Sequence, residues 1–100
     1  ASNEILKEES ITITNHTFEA IESAIYEGYD TIYLEPGTYN GTDTIGIIQM
    51  ENVKIIGNST ILDGQGMTEI FFIESSANIM MQDITFINGN FEDGGAVIAT

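Results

Sequence analysis

From residue 29 onward the sequence has a single texture, and it limits the fold more than any other feature. Short β-rich runs alternate with corners of Gly, Asn, Asp and Ser. The runs cover 31–34, 45–49, 53–56, 60–62, 69–73, 79–82, 84–87 and 96–99. The corners include Pro36-Gly37, Asn40-Gly41, Gly57-Asn58, Asp63-Gly64-Gln65-Gly66, Asn88-Gly89-Asn90 and Asp93-Gly94-Gly95. Eight of the ten glycines fall at these corners, where left-handed backbone costs them little. The glycines therefore mark turns, and the runs between them read as strands.

A longer period overlies the strands. Thr31-Ile32-Tyr33 recurs as Lys54-Ile55-Ile56 after 23 positions, and Asn52-Val53-Lys54-Ile55 as Asn78-Ile79-Met80-Met81 after 26. A β-rich period in the twenties marks a solenoid whose turns stack at about 4.8 Å. The expected fold is all-β: a right-handed parallel β-helix of about three coils over 29–100, with handedness following the usual chirality of β-crossovers. An antiparallel sandwich or barrel is the alternative. Against it stand the lack of two-residue hairpin turns, the doubly apolar run Ile70-Phe71-Phe72-Ile73, and a period longer than a hairpin.

Before the runs lies a different pattern. Ile11-Thr12-Ile13-Thr14 alternates as a short strand. Asn15-His16-Thr17 offers N-cap residues, and Phe18, Ile21, Ala24 and Ile25 follow at helical spacing until Gly28. The spacing predicts a capping α-helix over about 17–27, with 1–28 as a lid on the coils of 29–100. The last run, Ala96, Val97, Ile98 and Ala99, has no such lid and is the expected stacking or assembly edge. The expectation at this end is the N-terminal part of a longer solenoid, or pairing with another chain.

Sixteen acids face two lysines and no arginine, for a formal charge of −14. Phosphate contacts need cations, so nucleic-acid binding is excluded as an expectation. No run is long enough to span a membrane, and no cysteine allows a disulfide or thiolate site.

Candidate chemistry is thin. Asp63, Asp83 and Asp93 could pair as acid and base, but each sits at a turn or strand end, where aspartate commonly bonds backbone. Lys54 alternates with Val53 and Ile55 and reads as an outward stem. His16 is the single histidine and reads as a helix-entry residue. Glu92-Asp93 is the one loose calcium candidate, and no EF-hand spacing occurs. The expectation is no catalytic, cofactor or metal residue. Asn15, Asn40 and Asn58 each open an N-x-S/T sequon, as in a secreted glycoprotein. Asn52 and Asn78 are expected to stack as an amide ladder. Tyr33 and Tyr39 are expected to pack across the first turn, with a sugar-stacking platform of tyrosines as the alternative.

The stretch from Gly28-Tyr29-Asp30-Thr31-Ile32-Tyr33-Leu34-Glu35-Pro36-Gly37-Thr38-Tyr39 onward resembles the opening of pectin-lyase-like right-handed parallel β-helices. Val53-Lys54-Ile55-Ile56-Gly57-Asn58 and Ile61-Leu62-Asp63-Gly64 continue the likeness. Ile84-Thr85-Phe86-Ile87-Asn88-Gly89-Asn90 with Gly94-Gly95-Ala96-Val97 is similar to repeats of polymorphic outer-membrane proteins and adhesin-like surface proteins. The resemblance implies an extracellular or cell-surface, non-catalytic module for display or attachment, with a polysaccharide or protein ligand. It also admits two alternatives: part of a polysaccharide lyase or hydrolase, or a self-stacking subunit forming a homo-oligomer through the open end.

Overall fold

The computed structural model describes residues 9–90 and 96–100. Eight strands and one helix follow in the order β1 (Ser10–Ile13), α1 (Phe18–Tyr26), β2 (Thr31–Leu34), β3 (Gly37–Asn40), β4 (Ile45–Ile48), β5 (Glu51–Asp63), β6 (Phe71–Glu74), β7 (Ala77–Ile87) and β8 (Val97–Ala99). Every pairing between these strands is parallel. In the larger sheet β1 lies on β2, β2 and β3 both lie on one side of β5, and β7 lies on the other. The smaller sheet runs β4-β6-β8.

The registers are the offsets visible in the sequence. Thr31 pairs with Lys54 and Ile32 with Ile55, while Val53 pairs with Ile79 and Ile55 with Met81. Ile45 sits on Phe71, and Phe71 on Val97.

The expected right-handed parallel β-helix of about three coils is corrected. The strands form a curled half-barrel sheet with one short helix, not a solenoid of three coils. The reason lies at the corners. Runs 53–56 and 60–62, separated in the sequence by Gly57-Asn58, are one strand, β5. Ser59 takes a positive φ of 50° and the register shifts between Ile56 and Thr60, so the strand bends without leaving its sheet. Runs 79–82 and 84–87 likewise join in β7 through Asp83, with φ 59°. A corner that bends a strand instead of ending it curls one sheet.

The helix forms where its pattern predicts. Thr17 caps it, its hydroxyl accepting from the Ala20 N–H at 3.2 Å. Glu27 ends it, and Gly28 follows at φ 95°. Phe18, Ile21, Ala24 and Ile25 are all buried, and the helix packs mainly on β4, with smaller contacts to β1 and β2. Inside, side chains align in rows across the strands. Ile32 and Ile55 form one row, Tyr39 and Leu62 another, and Ile45 and Phe71 a third, all fully buried. Burying a residue of this kind stabilises by roughly 1.5–3 kcal/mol, so these rows are the main cohesive element.

Candidate functional site

Two surfaces follow from this arrangement. The first is the outward face of the larger sheet. Side chains alternate along a strand, so the neighbours of the buried Ile32 and Ile55 point outward. The registers align Thr12, Tyr33, Ile56 and Gln82 in one row, and Thr31, Lys54 and Met80 in the next. Tyr33 is 43% exposed, Met80 40%, Lys54 is exposed and Ile56 half-buried. One aromatic ring, two apolar side chains and a cation thus share a sheet face. Such a face can stack a sugar ring or seat an extended chain.

The second surface is the outer edge of β7 and β8. Each ends its sheet among the described residues. The inward side chains Ile79, Met81, Ile84 and Phe86 are only half-buried, and Val97 is 38% exposed. Their register partners Val53, Ile55, Thr60, Leu62 and Phe71 are buried.

The polar residues singled out above are engaged in structure. Asp63 Oδ1 accepts from the Gln65 N–H at 2.8 Å and from Asn88 Nδ2 at 3.0 Å, holding a turn and tying β5 to the end of β7. Asp83 is exposed, and its carboxylate accepts from Gln82 Nε2. His16 stacks on Tyr39 with ring centroids 4.3 Å apart, and its Nε2 lies 3.6 Å from Glu35. Tyr39 is fully buried, and its hydroxyl donates to the carbonyls of Glu35 at 3.1 Å and Ile13 at 3.3 Å. Burial pushes its phenol above the usual 10.0. Tyr33 and Tyr39 do not pack together as expected. They lie on opposite faces, Tyr33 outward and Tyr39 in the core beside His16.

The structure does not bring Asp63, Asp83, His16 and Lys54 together. No group of three or more His, Cys, Asp or Glu able to hold a metal occurs among the described residues. Asp93 and the Glu92-Asp93 calcium candidate lie outside the described residues. Asn15, Asn40 and Asn58 are all exposed. The amide ladder is present, with Asn78 Nδ2 donating to Asn52 Oδ1 at 3.1 Å. Among the assembly residues, Ala96 is half-buried and Val97 and Ala99 are exposed on or beside β8, which also includes Ile98. No helix of the described chain is long and apolar enough to cross a membrane.

Sequence reasoning missed three residues. Glu22 Oε2 accepts from the Gly46 N–H at 2.9 Å. Thr60, 1% exposed, accepts from the Asn58 N–H and donates toward the carbonyls of Leu34 and Glu35, fastening the bend of β5 to the β2–β3 corner. Ser76 accepts from the Met50 N–H and reaches the Ile47 carbonyl, linking two corners 26 residues apart. A threonine between strand runs is a weak signal for such a role; the other two carry none.

No protein-family model, curated protein or solved structure matches the chain.

Proposed function

We propose that the chain is a non-catalytic display or attachment module of an extracellular or cell-surface protein. The observation that carries this reading is the outward sheet face, where Tyr33, Lys54, Ile56 and Met80 stand together on in-register strands. The employment of Asp63 and His16 in turn, inter-strand and stacking contacts supports a structural use of the residues best suited to chemistry. The three exposed sequon asparagines fit a glycosylated surface location. A polysaccharide is the favoured ligand class, because an exposed tyrosine on a flat sheet offers a ring to stack on a sugar.

Affinity electrophoresis through gels containing soluble polysaccharides tests the reading. The expected result is retardation by at least one polymer, abolished in Tyr33→Ala and kept in Tyr26→Ala, which removes a tyrosine on the helix. No retardation by any polymer overturns the attachment role. New reducing ends or unsaturated products in the same mixtures overturn the non-catalytic one.

A further inference from the structure

We infer that Asn40 is a site of N-linked glycosylation on the folded chain, and that the fold closes the sequons of Asn15 and Asn58. The inference rests on the extracellular location proposed above, but not on the polysaccharide ligand.

A sequon is read as a pair: the asparagine amide that receives the sugar, and the hydroxyl two places on. All three asparagines are exposed, so their hydroxyl partners decide between them. Thr60 completes the sequon of Asn58 and is 1% exposed. Its hydroxyl accepts from the Asn58 N–H at 2.8 Å and donates to the Glu35 carbonyl at 3.2 Å. Its backbone is held between Gly37 of β3 and Ile84 of β7. Presenting this hydroxyl to an enzyme would require opening the bend of β5.

Thr17 completes the sequon of Asn15. It is half-buried, and its hydroxyl caps α1 by accepting from the Ala20 N–H at 3.2 Å. The residue between them, His16, is stacked on the buried Tyr39. Reading this sequon would cost the helix its cap and the core its ring stack.

The third sequon is open. Asn40 is the last residue of β3, and Thr42 lies in the corner before β4 begins at Ile45. Both are exposed. Asn40 is held through its backbone, by pairing with Asp63 and by its N–H on the His16 carbonyl. Among the described residues, neither its side-chain amide nor the Thr42 hydroxyl has a hydrogen-bond partner. Asparagine and hydroxyl are thus both available where the chain leaves the sheet, the setting in which this modification is accommodated.

The sugar donor is, by class, an oligosaccharide joined through phosphate to a polyprenyl carrier. Asn40 Nδ2 forms a bond to the anomeric carbon, and the bond from that carbon to the phosphate oxygen breaks. The carrier phosphate leaves with the electron pair, and one amide proton passes to a base of the transferase.

The test incubates the folded chain with such a donor and a transferase of N-x-S/T specificity that accepts peptides 13–19, 38–44 and 56–62. Intact mass and peptide mapping locate the sugar. The expected result is one glycan, at Asn40, with Asn15 and Asn58 at least tenfold slower although their peptides react. Thr42→Val should abolish the modification with the far-ultraviolet circular dichroism unchanged. An unmodified folded chain overturns the inference. So does modification of Asn15 or Asn58 as fast as Asn40, or of Asn40 in Thr42→Val. Tyr33 pairs with Ile56 before the bend of β5 and Asn40 with Asp63 beyond it, so this result and the gel retardation that depends on Tyr33 can fail separately.

Discussion

Glu22 Oε2 accepts the Gly46 N–H at 2.9 Å, so a helix side chain takes the place of a missing strand. Gly46 lies in β4, the outer strand of the smaller sheet, whose Ile45 N–H is already used on the Ile70 carbonyl of the β6 side. The next amide points outward, where an edge would be open to another chain. Glu22→Ala should therefore destabilise the fold by about 1–2 kcal/mol, below the range for fully buried charged hydrogen bonds because Glu22 is half-exposed. Glu22→Gln keeps an acceptor and should lose less than half of that. Urea denaturation at neutral pH measures both.

Tyr39 carries a pH dependence of known sign. Burial raises its phenol above 10.0, so the folded state holds the proton more tightly than the unfolded state. Its contribution is complete below pH 10.0 and is lost as pH rises through the folded value. Denaturation midpoints from pH 8 to 11 should fall more steeply in the parent than in Tyr39→Phe, which keeps the ring on His16. An identical slope in both contradicts the buried phenol.

Gly57 is a site of close approach. A Cβ there would strike the Asp83 carbonyl and the Ile84 side chain of β7. Gly57→Ala should cost about 2–3 kcal/mol, as overpacking against backbone does, whereas Gly66→Ala meets nothing within 4 Å and pays only for its φ of 70°. Thermal unfolding of the two variants separates steric contact from backbone strain.

Thr60→Val keeps shape and removes a hydroxyl. The Asn58 N–H and the Glu35 carbonyl then lose their partner at a buried bend, for an expected cost of about 1–3 kcal/mol in chemical denaturation. A neutral result would mean the bend of β5 is held by its backbone alone.

Much of the strand register was legible, because a parallel partner repeats the same apolar and amide positions. Ile32 over Ile55, and Asn52 beneath Asn78, follow from offsets of 23 and 26 residues. The helix was legible from its cap and its apolar spacing. What the corners do was not. Ser59 and Asp83 adopt positive φ without being glycine, and nothing in their identity separates a strand that bends from one that ends. That difference turns the expected coils into a curled sheet. Gly37–Asn40 reads as two turn pairs, yet forms β3 because Tyr39 buries its ring in the core and Asn40 pairs with Asp63. The candidate surface was half legible. Lys54 as an outward stem follows from alternation, whereas the separation of Tyr33 from Tyr39 depends on β2 and β3 presenting opposite sides.

The parallel pairing of β5 with β7 underlies both the exposed face and the open edge, and a disulfide tests it directly. The chain has no cysteine, so Asn52→Cys with Asn78→Cys introduces one pair at the exposed ladder. Stacked positions on adjacent strands lie within the Cα separation of about 4.4–6.8 Å that a disulfide spans. Under mild oxidation of dilute chain, the expected result is a near-complete intramolecular bond with unchanged circular dichroism. The displaced pair Asn52→Cys with Thr85→Cys should form none. A bond that fails to form at Asn52 and Asn78, or forms equally at the displaced pair, would contradict the register and with it the arrangement of both surfaces.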